Sequence, residues 1–309
     1  MSAKVIRKGT EVIPYLAGIW PQIYLLPTPE GNPLYQAVVL SGEDAPTHSL
    51  SHFRGSPEDI ITREETPAGP VIAVTITDRA DFEMITRILG HKCRLDVIPA
   101  SQGACILDGL INWQRIRDHE AEFMKKAKKQ GIDDPDWDSE FKRFTSDRKN
   151  YTEALILLSR GPYSAVPYAK TPFSEKEWLK HSLTIRKFHE CTHFICRRLY
   201  REWIDPLWDE LVADAVGIYA ALGRYDQDLA ELFLGIRDGR YAGGRLENYV
   251  TEEADKTPEN MDRLAAKIHG ILNRFSEWIG SNSFRAPWDL AVKLEEQYPL
   301  FWKKDGTAE

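Results

Sequence analysis

The spacing of apolar residues changes near Ser174, and this change constrains the fold more than any other feature of the sequence. Before it, short apolar runs such as GPVIAVTITD (69–78) and EALILLSRG (153–161) have the length and composition of strands. After it, apolar residues recur at three- and four-residue intervals, as on the buried face of a helix. We therefore predict an α+β protein with a mixed α/β lobe over 1–173 and a mainly helical lobe over 174–309.

Within the first lobe, strand-like and helical patterns alternate, which predicts an α/β layer. ADFEMITRILG (80–90) has helical spacing and is followed by the strand-like RLDVIP (94–99). Residues 104–131 are predicted to be helical as well, because their apolar positions end in a lysine-rich stretch that suits a helix C-terminus. The charged, turn-rich stretch 132–150 is expected to be a surface connection.

The helical lobe has clear start signals. Ser174 with Glu177 three residues later forms a capping-box pattern, and periodic apolar residues extend this helix to about residue 202. Asp205 followed by Pro206 is typical of the N-cap and first turn of the next helix. Further helices are predicted at 226–237, 258–279 and 286–297.

Composition excludes several classes of protein. The chain has 40 Lys and Arg against 47 Asp and Glu, a formal net charge of -7, so no overall positive field would attract nucleic acid. No stretch approaches the roughly 18 uninterrupted apolar residues of a membrane span, and the N-terminus lacks a signal-peptide pattern. We expect a cytoplasmic protein without nucleic-acid or membrane partners. Its four cysteines are too sparse for a disulfide framework and are predicted to be free thiols.

The sequence HECTH (189–193) lies within the helix that starts at Ser174. His189 and His193 are one turn apart and project from the same face, so both imidazoles can bind one ion. Glu190 is rotated by about 100° from His189, which suits it to take a proton from a water molecule held by that ion. Because a random chain of this composition shows the pattern roughly once in 60 trials, further ligands are needed to support a metal site.

The next helix supplies them. In DPLWDELVADAVG (205–217), Glu210 and Asp214 are four residues apart and lie on one face, which Gly217 continues without a side chain. Glu210 is the natural third ligand, and Asp214 can accept a hydrogen bond from the outer nitrogen of a ligand histidine. Two imidazoles and a carboxylate suit Zn²⁺, so we expect one zinc ion per chain.

These two helices resemble those of the gluzincin metallopeptidases, the thermolysin-like branch of the zincins, which carry His-Glu-x-x-His and Glu-x-x-x-Asp. The resemblance covers about residues 150–220, although the 16 residues between His193 and Glu210 fit no single family of this group. It implies a zincin-like fold with the metal in the cleft between the lobes. It also implies an edge strand that pairs with an extended peptide substrate, a role for which 153–161 is in the right place.

The resemblance also implies a role for each motif residue. The zinc ligands would be His189, His193 and Glu210, the catalytic base Glu190, and the orienting carboxylate Asp214. The predicted function is therefore zinc-dependent hydrolysis of peptide bonds in a peptide or protein substrate. Two alternatives stay open: a non-catalytic zincin-like protein that binds a peptide or a partner with a structural or vestigial metal site, and a hydrolase of non-peptide amides.

Several other residues near these motifs or of suitable type are considered for a role in the site. Candidates by residue type for stabilising an oxyanion are Tyr219, Tyr225, Tyr241 and His269. Cys191 lies about 200° from His189 around the helix, so it is predicted to pack in the core rather than to bind the ion. His181 is two turns upstream of His189, too far for coordination, and is expected at the surface.

Overall fold

The computed structural model describes residues 3–200 and 205–302. The strands in these ranges are β1 (Lys4–Lys8), β2 (Ile60–Thr66), β3 (Gly69–Ile76), β4 (Ala104–Ile111), β5 (Thr152–Ser159), β6 (Ile236–Arg237) and β7 (Arg240–Tyr241). The α-helices in the same ranges are α1 (Val12–Ile19), α2 (Arg79–Ile85), α3 (Trp113–Lys129), α4 (Trp137–Thr145), α5 (Glu175–Leu199), α6 (Pro206–Leu222), α7 (Gln227–Leu234), α8 (Pro258–Gly280), α9 (Pro287–Glu296) and α10 (Tyr298–Phe301).

In the described part of the chain, the first five strands form one sheet in the order β1-β2-β3-β5-β4. Strand β5 is parallel to β3 on one side and antiparallel to β4 on the other. The prediction that 153–161 is an edge strand is therefore wrong, because β4 and not β5 occupies that edge. The continuous apolar run of β5 agrees with its interior position, since both of its faces are buried.

Residues 104–131 form a strand and a helix rather than the single helix that we predicted. A short apolar run such as CILDGLI fits a strand or a buried helical segment equally well. The boundary between β4 and α3 is Asn112, whose side chain accepts hydrogen bonds from the backbone amides of Gln114 and Arg115. The helix thus begins nine residues later than the apolar pattern suggested, and the preceding residues extend the sheet.

The sheet has helices on both faces. Alternate residues of β5 face opposite cores: Leu155 and Leu157 pack with α1 and α2, whereas Ile156 packs with Cys191 and Phe194 of α5. A third apolar core lies among α5, α6, α7, α8 and α9. This arrangement confirms the α+β class. The division into lobes 1–173 and 174–309 stays a prediction, and its outermost residues, 1–2 and 303–309, lie outside the described residues.

Helices α5 and α6 start where the sequence predicts. Ser174 and Glu177 make both hydrogen bonds of a capping box, and the Asp205 side chain accepts from the first free amides of α6. Helix α5 ends at Leu199, and residues 201–202 of its predicted extent lie outside the described ranges.

The two helices approach closely at Gly217, where an added Cβ would lie 2.7 Å from the backbone oxygen of Ile185. Within residues 3–200 and 205–302, no helix combines the length and apolar character needed to cross a bilayer.

Candidate metal centre

Three side chains from α5 and α6 converge on one point. The Nε2 atoms of His189 and His193 are 3.0 Å apart, and each lies 3.4 Å from a carboxylate oxygen of Glu210. Both histidines are buried and Glu210 is partly buried. The structure thus brings the three predicted ligands close enough together to hold a metal ion.

The donor set and its spacing suit Zn²⁺. Tetrahedral zinc sites have bonds of about 2.0–2.2 Å, which places neighbouring donor atoms about 3.3 Å apart. The three observed separations, from 3.0 to 3.4 Å, agree with that value. The three donors are one fewer than the four of a closed structural zinc site.

A carboxylate of α6 contacts the outer nitrogen of each histidine. Asp214 Oδ1 lies 3.0 Å from His189 Nδ1, the contact that the spacing of α6 predicted for it. Asp209 Oδ2 lies 2.7 Å from His193 Nδ1, and this contact was not predicted. Asp209 directly precedes Glu210 and so is rotated by about 100° around the helix, where a same-face pattern does not reveal it. Such carboxylates fix the orientation of a ligand imidazole.

Two further residues enclose the contact between Asp214 and His189. The Tyr163 hydroxyl donates to Asp214 Oδ1 at 2.6 Å and lies 2.8 Å from His189 Nδ1. Arg245 forms an ion pair with Asp214 and donates to the Tyr163 hydroxyl at 3.1 Å. Sequence reasoning missed both residues. They begin short 3-10 helices after Gly161-Pro162 and Gly243-Gly244, and such pairs indicate a turn without showing where the next side chain lies.

The electrostatics of the centre favour a bound cation. Burial opposes the charged form of His193, but hydrogen bonds and charge from Asp209 and Glu210 raise its pKa to about 10. Burial opposes the ionisation of Glu210, yet the His193 hydrogen bond and both imidazoles hold its pKa well below the usual range. Against the same effect of burial, Arg245 and His189 lower the pKa of Asp214. The ionised Glu210 and Asp214 carboxylates therefore lie beside imidazole nitrogens, and their negative charge favours a metal ion at this centre.

A cleft of about 630 Å³ opens over the centre. His189, Glu190 and Glu210 line its floor, while Gly103 and Ala104, at the start of the edge strand β4, line one wall. A second wall is formed by the segment that follows α7 and includes β6 and the residues from 242 to 249. Glu190 is partly exposed to this cleft, so a molecule bound there can reach both the Glu190 carboxylate and the metal ligands.

A family model described as "Family of unknown function (DUF7005)" matches residues 30–289, more than four fifths of the chain. The protein belongs to DUF7005. No curated protein and no solved structure matches it. The matched region of this DUF7005 protein contains the candidate centre from Tyr163 to Arg245.

The four oxyanion candidates chosen by residue type are not among the residues that line the cleft in the described ranges. The Tyr241 hydroxyl donates to Glu247 at 2.7 Å, His269 bonds Glu231, and Tyr219 and Tyr225 pack in the helical core. Tyr249 lines the cleft instead, near Glu210. Burial raises the pKa of Tyr249, so its hydroxyl keeps its proton and can donate a hydrogen bond.

Cys191 and His181, which we considered as ligands from the sequence, are not part of the candidate metal centre. Cys191 is buried against the sheet, as predicted, and all four cysteines are free thiols. His181 is partly exposed, with its ring 4.7 Å from that of Phe173.

Proposed function

We propose that this DUF7005 protein is a zinc-dependent hydrolase of zincin-like organisation and that it cleaves peptide bonds. The observation that carries the proposal is the convergence of His189, His193 and Glu210 at a cleft that His189 and Glu210 line together with Glu190. This set contains the ligands of a zinc site with an open position and a carboxylate that can act as the general base.

Each residue has a distinct role in the proposed reaction. Zinc held by the three ligands would supply a Lewis acid that polarises the scissile carbonyl and makes a water molecule more acidic. Glu190 takes a proton from the attacking water and later passes it to the leaving amine. Tyr249, which lines the cleft and keeps its proton, turns that proton from Glu210 to the oxyanion that develops on the substrate carbonyl.

The position of β4 supports an extended peptide as the substrate. Its first residue, Ala104, lies at the cleft, and the strand is at the edge of the sheet. An extended chain can add to such an edge through backbone hydrogen bonds, with little dependence on its side chains. In this proposal, β4 and not 153–161 is the edge strand that pairs with the extended peptide substrate.

The metal centre is tested by elemental analysis of the wild type beside His193→Ala and Glu210→Ala. We expect about one zinc ion per chain in the wild type and its loss in both variants, because each removes one of three donors. Zinc-free wild type after growth with ample zinc would overturn the centre. So would full retention of zinc by Glu210→Ala.

The chemistry is tested with a peptide library and the pair Glu190→Gln and Glu247→Gln. Both glutamates line the cleft, but Glu247 is bonded to Tyr241 and takes no part in the proposed reaction. Glu190→Gln should keep its zinc and lose turnover by about 10²–10⁴-fold, whereas Glu247→Gln should cleave like the wild type. Zinc-loaded wild type that yields no new peptide termini would favour a non-catalytic binding protein instead.

A further inference from the structure

The hydrogen-bond donors and acceptors around Asp214 leave only one arrangement of protons. Arg245 can only donate, and it does so to both Asp214 and the Tyr163 oxygen. Ionised Asp214 can only accept. Tyr163 has a single hydroxyl proton, and its 2.6 Å contact with Asp214 Oδ1 uses that proton. Toward His189, the Tyr163 oxygen can therefore only accept.

This arrangement decides which nitrogen of His189 carries hydrogen. Nδ1 faces two acceptors, the Tyr163 oxygen at 2.8 Å and Asp214 Oδ1 at 3.0 Å, so the ring hydrogen of the neutral imidazole must be on Nδ1. Nε2 then presents its lone pair toward Glu210 and His193, where a metal ion would bind. The opposite tautomer would place a hydrogen on Nε2 and block coordination.

Arg245 reaches this network from the wall of the cleft. Its neighbour Gly244 passes so close to Gly235 that an added Cβ would lie 2.7 Å from the Gly235 Cα atom. The Arg245 side chain lines the cleft, and its guanidinium lies 5.5 Å from the centre of the Tyr163 ring. Arg245 pairs with Asp214 Oδ2 and so leaves Oδ1 turned toward Tyr163 and His189.

We infer that Arg245 and Tyr163 are positioning residues that hold His189 in its metal-binding tautomer and orientation. The inference rests on the proposed metal centre and deepens it, because it assigns a role to two residues that do not bind the ion themselves. It also connects the wall of the cleft to the ligand His189, because the partly buried Arg245 contacts both Asp214 and Tyr163.

The test compares zinc affinity, measured by chelator competition, in Arg245→Met, Arg245→Lys, Tyr163→Phe and the wild type. We expect Arg245→Met to weaken zinc binding by up to about 10-fold, the low end of the effect of losing an outer partner of a metal ligand, because Arg245 reaches His189 only through Asp214 and Tyr163. Arg245→Lys should recover only part of this loss, since an ammonium lacks the planar fork that reaches Asp214 and Tyr163 together. Tyr163→Phe removes one hydroxyl and should weaken binding less than Arg245→Met.

Arg237→Met is the matched control. Arg237 is an exposed arginine on the same cleft wall, and its substitution should leave zinc affinity unchanged. The absorption spectrum of the cobalt-substituted proteins gives a second readout, because its intensity reports ligand geometry and does not depend on the overall stability of the fold. We expect altered spectra for Arg245→Met and Tyr163→Phe and a wild-type spectrum for Arg237→Met.

The outcomes separate this inference from the proposed function. Wild type that binds no zinc overturns the metal centre and the inference with it. Wild-type affinity and cobalt spectra in both Arg245→Met and Tyr163→Phe would overturn the inference alone and leave the centre standing. If Arg245→Met does not fold, the nearly isosteric Tyr163→Phe decides by the same two measurements.

Discussion

Replacing Gly217 by alanine should weaken the contact between the two helices that carry the metal ligands. An added Cβ would lie 2.7 Å from the Ile185 backbone oxygen and 3.0 Å from its Cγ2 atom. Because the nearest atom belongs to the backbone of another helix, the strain cannot be relieved by a side-chain rotation. Helices α5 and α6 must move apart at this point.

The magnitude follows from two opposing effects. Alanine stabilises a helix by about 1 kcal/mol relative to glycine, whereas an extra methyl group in a packed interior costs about 1–3 kcal/mol. The difference between the two effects is about 0–2 kcal/mol, and since the nearest neighbour is a backbone atom we expect Gly217→Ala to lower the free energy of unfolding by up to about 2 kcal/mol. Ile185 precedes His189 by one turn, so the same separation should lengthen the contact between His189 and Asp214 and weaken zinc binding.

Gly270→Ala is the matched control for this measurement. Gly270 also lies inside a helix, α8, but an added Cβ there meets no atom within 4 Å. It should therefore stabilise the protein by up to about 1 kcal/mol. Urea unfolding of both zinc-free variants measures the difference, which isolates the cost of packing at Gly217. Equal stabilisation by the two substitutions would refute the close contact of α5 and α6.

Three further predictions follow from buried groups and helix caps. Burial and the charge of Asp209 raise the pKa of Glu295 to about 7, so the folded protein keeps a proton that the unfolded chain releases above about pH 4.5. The free energy of unfolding should fall by about 3 kcal/mol as pH rises from 4.5 to 7, and Glu295→Gln but not the exposed Glu296→Gln should remove this slope. Burial raises the pKa of Cys93 and Cys105 to about 12, so a thiol reagent at pH 8 should label neither cysteine in the folded protein. After unfolding, the same reagent should label all four cysteines of the chain. Rapid labelling of Cys93 in the folded protein would contradict its burial. Ser174→Ala should destabilise α5 by about 1 kcal/mol, measured by urea unfolding, and no effect would mean that the capping box contributes nothing.

The sequence predicts features that depend on neighbours along one helix. The capping box at Ser174, the N-cap at Asp205 and the spacing of His189 with His193 are all set by local helix geometry. The packing of α5 against α6 is also predictable in part, because Glu210 can act as a metal ligand only if its helix faces His189 and His193. The structure brings these residues together as that reasoning expected.

Features that depend on distant segments could not be predicted. The apolar run that starts at Ala104 fits a strand or a helix, and only its pairing with β5 decides between them. Asp209 and His193 meet from two different helices, and Tyr163 and Arg245 come from short 3-10 helices that lie before α5 and after α6 in the sequence. No spacing rule within one segment relates such residues.

The β-bulge in strand β4 has a consequence for the size of what the sheet edge can bind. The pairing of β4 with β5 is regular from Ala104 to Leu107 and then shifts before Leu110. A bulge bends the strand and interrupts its ladder of hydrogen bonds. A chain that adds to this edge from the cleft can therefore follow it for only four residues, about 14 Å. The other edge strand, β1, is interrupted between Val5 and Arg7. Both edges thus discourage long, uniform pairing between copies of the protein and admit short segments only.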